Sequence, residues 1–161
     1  MLIFLIEGES GVGKTTLVNL LKESTNMPVL NDTYLYETSN MREDKRVNVE
    51  KIKTIVNFAR DVSDKFIVDR LHWSEMIYGY CDRKYDNAVS VLDIEEELIK
   101  LGAKVILVVP TDLEESSRQH GNDLSKHARL FEVVFEDSKM KKFKCDYNTL
   151  SDAVRWVIEN D

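Results

Sequence analysis

The chain has 161 residues, a formal net charge of −7 and a sequence pI near 5.1. That length suits one domain with a sizeable core and leaves no room for a second, and the acidic balance argues against general affinity for nucleic acid, whose phosphates are met by many lysines and arginines. Cys81 and Cys145 stand far apart with no C-x-x-C or Cys/His cluster, so neither a zinc site nor a disulfide framework is indicated and ordinary buried thiols in a reducing cytoplasm are expected.

Residues 2–6, LIFLI, form an apolar run of strand length. The run lacks a basic lead-in and is stopped by Glu7, so neither a signal peptide nor a membrane span is expected, and the protein is expected to be soluble and cytoplasmic. Residues 8–15 read GESGVGKT and fit the template G-x-x-x-x-G-K-[ST]. Gly8, Gly11 and Gly13 let the backbone turn its N–H groups around a phosphate, Lys14 reaches the β- and γ-phosphates, and Thr15 offers a hydroxyl to Mg²⁺. An amphipathic helix begins at Lys14, giving the order strand, loop, helix that such a phosphate loop requires. A nucleoside triphosphate is the expected ligand, ATP with Mg²⁺, cradled by Gly8, Glu9, Ser10, Gly11, Val12, Gly13, Lys14, Thr15 and Thr16.

Further strand-like runs fall at 28–30, 65–69, 104–109 and 142–145, alternating with stretches of helical spacing. This predicts an α/β fold, a P-loop NTPase three-layer sandwich with a five-stranded parallel sheet and helices on both faces. Ile52, Val56 and Ala59 repeat at helical spacing, as do Val91, Ile94, Leu98 and Leu101, the latter set ending at a Gly102 cap. No linker or repeat divides residues 1–161, and Pro28 and Pro110 each stand beside a strand end. The stretch 111–138 reads as a helical hairpin forming a lid. Thr111 with Glu114 resembles a capping box, Gly121 breaks the first helix, and Leu124, Ala128, Phe131 and Phe135 line one face of the second. Its other face carries Arg118, His120, Lys126 and Arg129, and a mobile cover bearing arginines can stabilise transferred charge. Arg118 is the first catalytic candidate there and Arg129 the reserve. Lys139, Lys141, Lys142 and Lys144 are expected to form a solvated edge that discourages aggregation.

The strand at 65–69 ends in Asp69-Arg70, at the sheet edge where ligands of such folds sit. A carboxylate after a buried strand suits Mg²⁺, and a guanidinium suits a second phosphate. From Asp69 the chain reads DRLHWSEMIYG, which resembles the thymidylate kinase family, with Asp69, Arg70, Ser74 and Tyr78 at the intervals of its Asp-Arg motif. EGESGVGKT is likewise similar to the loop shared by thymidylate and deoxynucleoside kinases, and the short length resembles compact bacteriophage forms. Leu71 and Gly79 stand where the family commonly has an aromatic residue and a glutamine that reads thymine, which leaves the base open. The resemblance implies catalysis by Lys14, Asp69 and Arg70, with Thr15 and Asp69 at the metal. Glu7 occupies the place that serves deoxynucleoside kinases as general base toward a hydroxyl acceptor, and Glu9 a place where the family often has an acidic residue near the acceptor.

The acceptor side is expected to draw on Asp32, Tyr34, Phe58, Arg70, Ser74 and Tyr78, with Tyr36 and Trp73 as further aromatic candidates. Trp73 reads better as core and His72 as a packed or capping histidine. The absence of N-K-x-D and of an Asp-x-x-Gly switch closes the regulatory GTPase reading. What remains is transfer of the ATP γ-phosphate to a small nucleotide acceptor, foremost a deoxynucleoside monophosphate. The alternatives are a nucleoside hydroxyl, including a hydroxymethylated pyrimidine free or within DNA, and a non-catalytic ATP-binding module. Nucleic acid enters only as an acceptor substrate, no membrane is implicated, and a homodimer stays open.

Overall fold

Strand β1 (Leu2–Glu7) is apolar at successive positions because both of its faces are covered, a pattern that parallel sheets impose on central strands. It is joined by β2 (Val29–Asn31), β3 (Lys65–Asp69), β4 (Lys104–Val108) and β5 (Lys141–Cys145) in the all-parallel order β2-β3-β1-β4-β5. The computed structural model describes residues 2–31, 52–54, 56–58, 61, 65–84, 86, 88–112 and 125–161.

Alternate residues of β1 feed two cores. Ile3 and Leu5 pack with Trp73 and Ile77 of α2 (His72–Cys81), Ile94 and Leu98 of α3 (Ala88–Lys100), and Phe131 and Phe135 of α4 (Ser125–Asp137). Phe4 and Ile6 pack with Leu17 and Leu21 of α1 (Lys14–Thr25) and Ala153 and Val157 of α5 (Leu150–Glu159). The sheet is therefore the middle of three layers. Helix α3 stops at Gly102, whose φ of 76° permits the paired bonds Gly102 N–H to Ile99 and Ala103 N–H to Leu98 that close a helix C-terminus. Ile52 and Val56, both helical, are buried as their spacing predicts, while Phe58 is 48% exposed.

Two sequence expectations need correction. Lys142 is not part of a solvated edge: its ammonium donates to the carbonyls of Phe135, Glu136 and Ser138, supplying donors to the open end of α4. Lys144 instead pairs across the surface with Glu132 and Glu136. Cys81 is only partly buried, whereas Cys145 is buried and its thiol is pushed up to about 12 by burial and then by Asp146 and Asp152. No described helix is long and apolar enough to cross a membrane.

Candidate active site

Residues 8–13 link the carboxyl end of central β1 to α1. At Gly8, with φ 139°, a Cβ would lie 2.2 Å from the Val108 carbonyl oxygen, a backbone atom that cannot yield. At Gly13, with φ 101°, it would meet the Tyr147 ring at 2.8 Å. Helix α1 then starts with no side-chain cap and no acidic residue in its first turn, leaving its N–H groups and positive dipole end free for an anion. Ser10, Gly11, Gly13, Lys14, Thr15, Asp69 and Arg70 line a cavity of about 460 Å³ at this point.

The Lys14 side chain is 5% exposed, and its ammonium donates to the Glu9 carbonyl. Burial, followed by the nearby Arg70 charge, lowers its pKa to about 7, against the opposing pull of Asp69, Glu7 and Glu9. A bound triphosphate adds anionic charge beside this ammonium and restores its proton. Mg-ATP binding at pH 8 is therefore expected to take up close to one proton, falling toward none at pH 6, and the association constant should decline as pH rises above about 7. Calorimetry in buffers of different ionisation enthalpy measures this, and equal uptake by wild type and Lys14→Met would remove Lys14 as the source.

Register places the second motif beside the loop. Ile6 pairs with Asp69, and the Arg70 N–H donates to the Ile6 carbonyl at 2.9 Å, extending the β1–β3 ladder by one rung. Arg70 then turns with φ 68°, a left-handed conformation that costs a non-glycine residue of order 1 kcal/mol and persists where the surroundings enforce it. Its guanidinium donates to Ser10 Oγ at 3.2 Å and lies 5.4 Å from the Tyr78 ring centroid. Burial pulls the Arg70 pKa down, but Tyr78, Glu7 and Asp69 outweigh it and the net shift is upward. Burial raises the Asp69 pKa despite the opposing Lys14 and Arg70 charges, and Asp69 Oδ1 is a buried oxygen with no hydrogen-bond partner among the described residues. An orphaned carboxylate oxygen facing a phosphate cradle, with the exposed Thr15 hydroxyl at the helix start, fits Mg²⁺ held by one carboxylate and substrate phosphates.

Glu7 is fully buried, and both of its oxygens are engaged. Oε1 accepts the N–H groups of Leu71 (3.0 Å) and Trp73 (3.1 Å); Oε2 accepts the Ser74 N–H (3.3 Å) and hydroxyl (2.5 Å). The strand's last residue thus caps α2 from 64 to 67 positions away. Behind it, His72 Nε2 meets Glu95 Oε2 at 3.2 Å, Trp73 Nε1 donates to the same oxygen at 2.8 Å, and Ser138 Oγ donates to Glu95 Oε1 at 2.8 Å. These three bonds hold the Glu95 carboxyl at about 2, against the opposing effect of burial, which is the largest single influence on it.

The structure thus brings Gly8, Ser10, Gly11, Gly13, Lys14, Thr15, Asp69 and Arg70 to one sheet edge, with Val12 and Glu9 buried beneath the loop and Thr16 exposed on α1. Ser74 is buried against Glu7 and does not line the cavity. His72 and Trp73 are core residues, as their sequence context suggests. Asp32, Tyr34, Tyr36, Arg118 and His120 lie outside the described residues, as does the stretch 113–124 of the expected lid. Of that lid, α4 is present with Ala128, Phe131 and Phe135 buried and Lys126 and Arg129 exposed. Sequence reasoning missed Glu95, His127 and Tyr147, none of which belongs to a motif.

The parallel sheet, the glycine loop and the Asp69-Arg70 strand end define a P-loop α/β protein. Solved nucleoside and nucleotide kinases share its fold. The Bacillus subtilis YorR protein, solved in complex with phosphorylated GDP, superposes with a TM-score of 0.73 at 17% identity, over 98% of this chain and 94% of that one. Ehrlichia chaffeensis thymidylate kinase gives 0.62 at 14% identity, over 98% of each chain. Deoxyadenosine kinase from M. mycoides, solved with dCMP and dCDP, gives 0.60 at 10% identity over 98% of this chain and 97% of that one. No protein-family profile and no curated sequence matches the chain.

Proposed function

We propose that the protein is a P-loop kinase that moves the γ-phosphoryl group of ATP to a deoxynucleoside monophosphate of thymidylate type. The observation that carries this reading is Arg70, a half-buried guanidinium facing the same cavity as Lys14 and anchored by Ser10, because a protein that only binds ATP has no use for a second phosphate grip. Bound Mg-ATP supplies the phosphoryl group and the metal charge that draws electron density from it. Lys14 and the α1 N–H groups hold the triphosphate, Asp69 and Thr15 orient the metal, and Arg70 receives the acceptor phosphate. Positioning and charge compensation do the catalytic work in such transfers.

Glu7 supports this choice of acceptor class. A hydroxyl acceptor needs a base within hydrogen-bond reach, but both Glu7 oxygens are committed to the start of α2. A monophosphate is already anionic near neutral pH and needs none. This favours the nucleotide over a nucleoside or a hydroxymethylated pyrimidine. Glu7→Gln discriminates the roles: its amide keeps one acceptor oxygen and turns an NH₂ group toward existing donors, so the melting temperature should drop while kcat at a permissive temperature stays within about tenfold, a buried cap being worth ~1–3 kcal/mol. A stable variant with kcat reduced by ~10²-fold or more would restore Glu7 as a general base. The direct test is ADP release with Mg-ATP and a panel of deoxynucleosides, their 5′-monophosphates and oligonucleotides. Turnover of nucleosides or DNA but not monophosphates rejects the acceptor class, and turnover of nothing rejects the kinase.

A further inference from the structure

Tyr78 Oη and His127 Nδ1 are buried polar atoms that make no well-formed hydrogen bond among the described residues, and the Tyr78 hydroxyl is close enough to the Arg70 guanidinium to raise its pKa. Their rings pack against each other at a tilt, with centroids 5.2 Å apart and planes inclined by 34°. Tyr78 also meets the Phe131 ring edge-on at 6.2 Å, and the Arg70 guanidinium stands over the Tyr78 ring. A long side chain on a helix leans toward the helix N-terminus, which brings Tyr78 back along α2 to the end where Arg70 emerges. Asp82 lies one turn beyond Tyr78, and its Oδ1 holds His127 Nε2 at 2.9 Å. His127 is itself 8% exposed, near the start of α4, where Lys126 over the Tyr80 ring makes a second tie to α2. The four groups form a column running from the end of α2, across His127 of α4, to the lining of the cavity: Asp82, His127, Tyr78, Arg70.

We propose that His127 is a positioning residue for Arg70, holding the Tyr78 ring at the angle on which the guanidinium rests. The proposal builds on the reading of Arg70 as the acceptor's phosphate grip. A guanidinium is attracted to an aromatic face, and several rotatable bonds separate it from the backbone. On a fixed ring it meets the acceptor already oriented; on a loose ring it must be ordered at the moment of binding, which weakens the complex. The ATP phosphates are held by the loop and α1, so the effect falls on the acceptor alone. Uniform binding of this kind appears in KM rather than kcat.

The test uses the full chain, Mg-ATP, and whichever of dTMP, dUMP, dCMP, dAMP and dGMP turns over fastest. His127→Leu keeps side-chain bulk but removes the ring; it should raise the acceptor KM about tenfold, with ATP KM and kcat within about twofold. His127→Phe restores an aromatic face without the Asp82 bond and should recover most of that loss. Asp82→Ala, at a half-exposed position that leaves folding intact, should shift the acceptor KM in the same direction by a smaller factor. A readout without acceptor comes from NMR. The Arg70 side-chain protons nearest the Tyr78 ring should carry an upfield ring-current shift that persists in His127→Phe and fades in His127→Leu. The proposal is overturned if Leu and Phe behave alike, if the ATP KM rises as much as the acceptor KM, or if the shift survives in His127→Leu. Arg70→Ala separates the two readings. An unchanged acceptor KM in that variant rejects Arg70 as the phosphate grip, whereas the ring-current shift still decides whether His127 positions it.

Discussion

Lys14→Ala is expected to lower kcat by about 10²–10³-fold, the loss typical of removing one preorganised donor at a site of developing charge. The variant should nevertheless fold. Lys14, the first residue of α1, donates among the described residues only to the loop carbonyl of Glu9, and alanine is a better helix former than any residue it could replace there. Thermal stability gives an independent check with a definite sign. The Lys14 pKa falls from 10.5 in the unfolded chain to about 7 in the folded one, so the unfolded state binds the proton more tightly between those values. Burying the charged form therefore destabilises the ligand-free protein fully below pH 7, and the penalty fades as pH rises to about 10.5. Lys14→Ala should melt at or above the wild-type temperature at pH 7, and the gap should close in alkaline buffer. A variant that unfolds at pH 7, or that keeps more than about a tenth of wild-type kcat, contradicts the role given to this ammonium.

Asp69→Asn should lower activity about 10²-fold at limiting Mg²⁺, with part of the loss recovered in excess metal, because the substitution removes the carboxylate charge while preserving shape. Its stability should not suffer. Burial raises the Asp69 pKa, so the ionised carboxylate is an unfavourable occupant of the ligand-free site, and this contribution worsens as pH rises through the folded-state pKa. An amide abolishes that dependence. Activity assayed across a Mg²⁺ titration, with melting curves alongside, checks both halves. If excess Mg²⁺ gives no recovery, Asp69 acts on something other than the metal.

The sheet and the phosphate loop were legible in the sequence because their signals are local. LIFLI before GESGVGKT is a strand feeding a turn, and FIVD before Arg70 is a buried strand delivering a carboxylate to the same edge. The partners of those residues were not legible. Glu7 sits next to the glycines, which suggests a role in the chemistry, yet its hydrogen bonds go to Leu71, Trp73 and Ser74, and no periodicity relates positions that far apart. Ser74 falls at a motif interval but is drawn inward by that carboxylate. Lys142 looks like one more surface cation until the end of α4 is folded over it. His127 shows the same limit from the other side, since its spacing marks it only as one residue before Ala128 on an amphipathic helix.

The Glu7 cap also bears on how the molecule forms. Helix α2 has no side-chain cap of its own at Leu71, and ten residues are too few for a helix to persist alone in water. Its first turn is completed only when β1 has come alongside β3 and delivered the carboxylate, a closure spanning more than sixty residues. The arm bearing Tyr78 should accordingly consolidate late, after the central pair of strands has docked, and the dependence on such distant contacts favours slow folding. Pulsed hydrogen exchange should find the α2 amides gaining protection no earlier than those of β1 and β3. The carboxylate that completes the first turn of α2 is in this sense also a folding checkpoint: a chain whose first strand has not engaged cannot consolidate the arm that carries Tyr78.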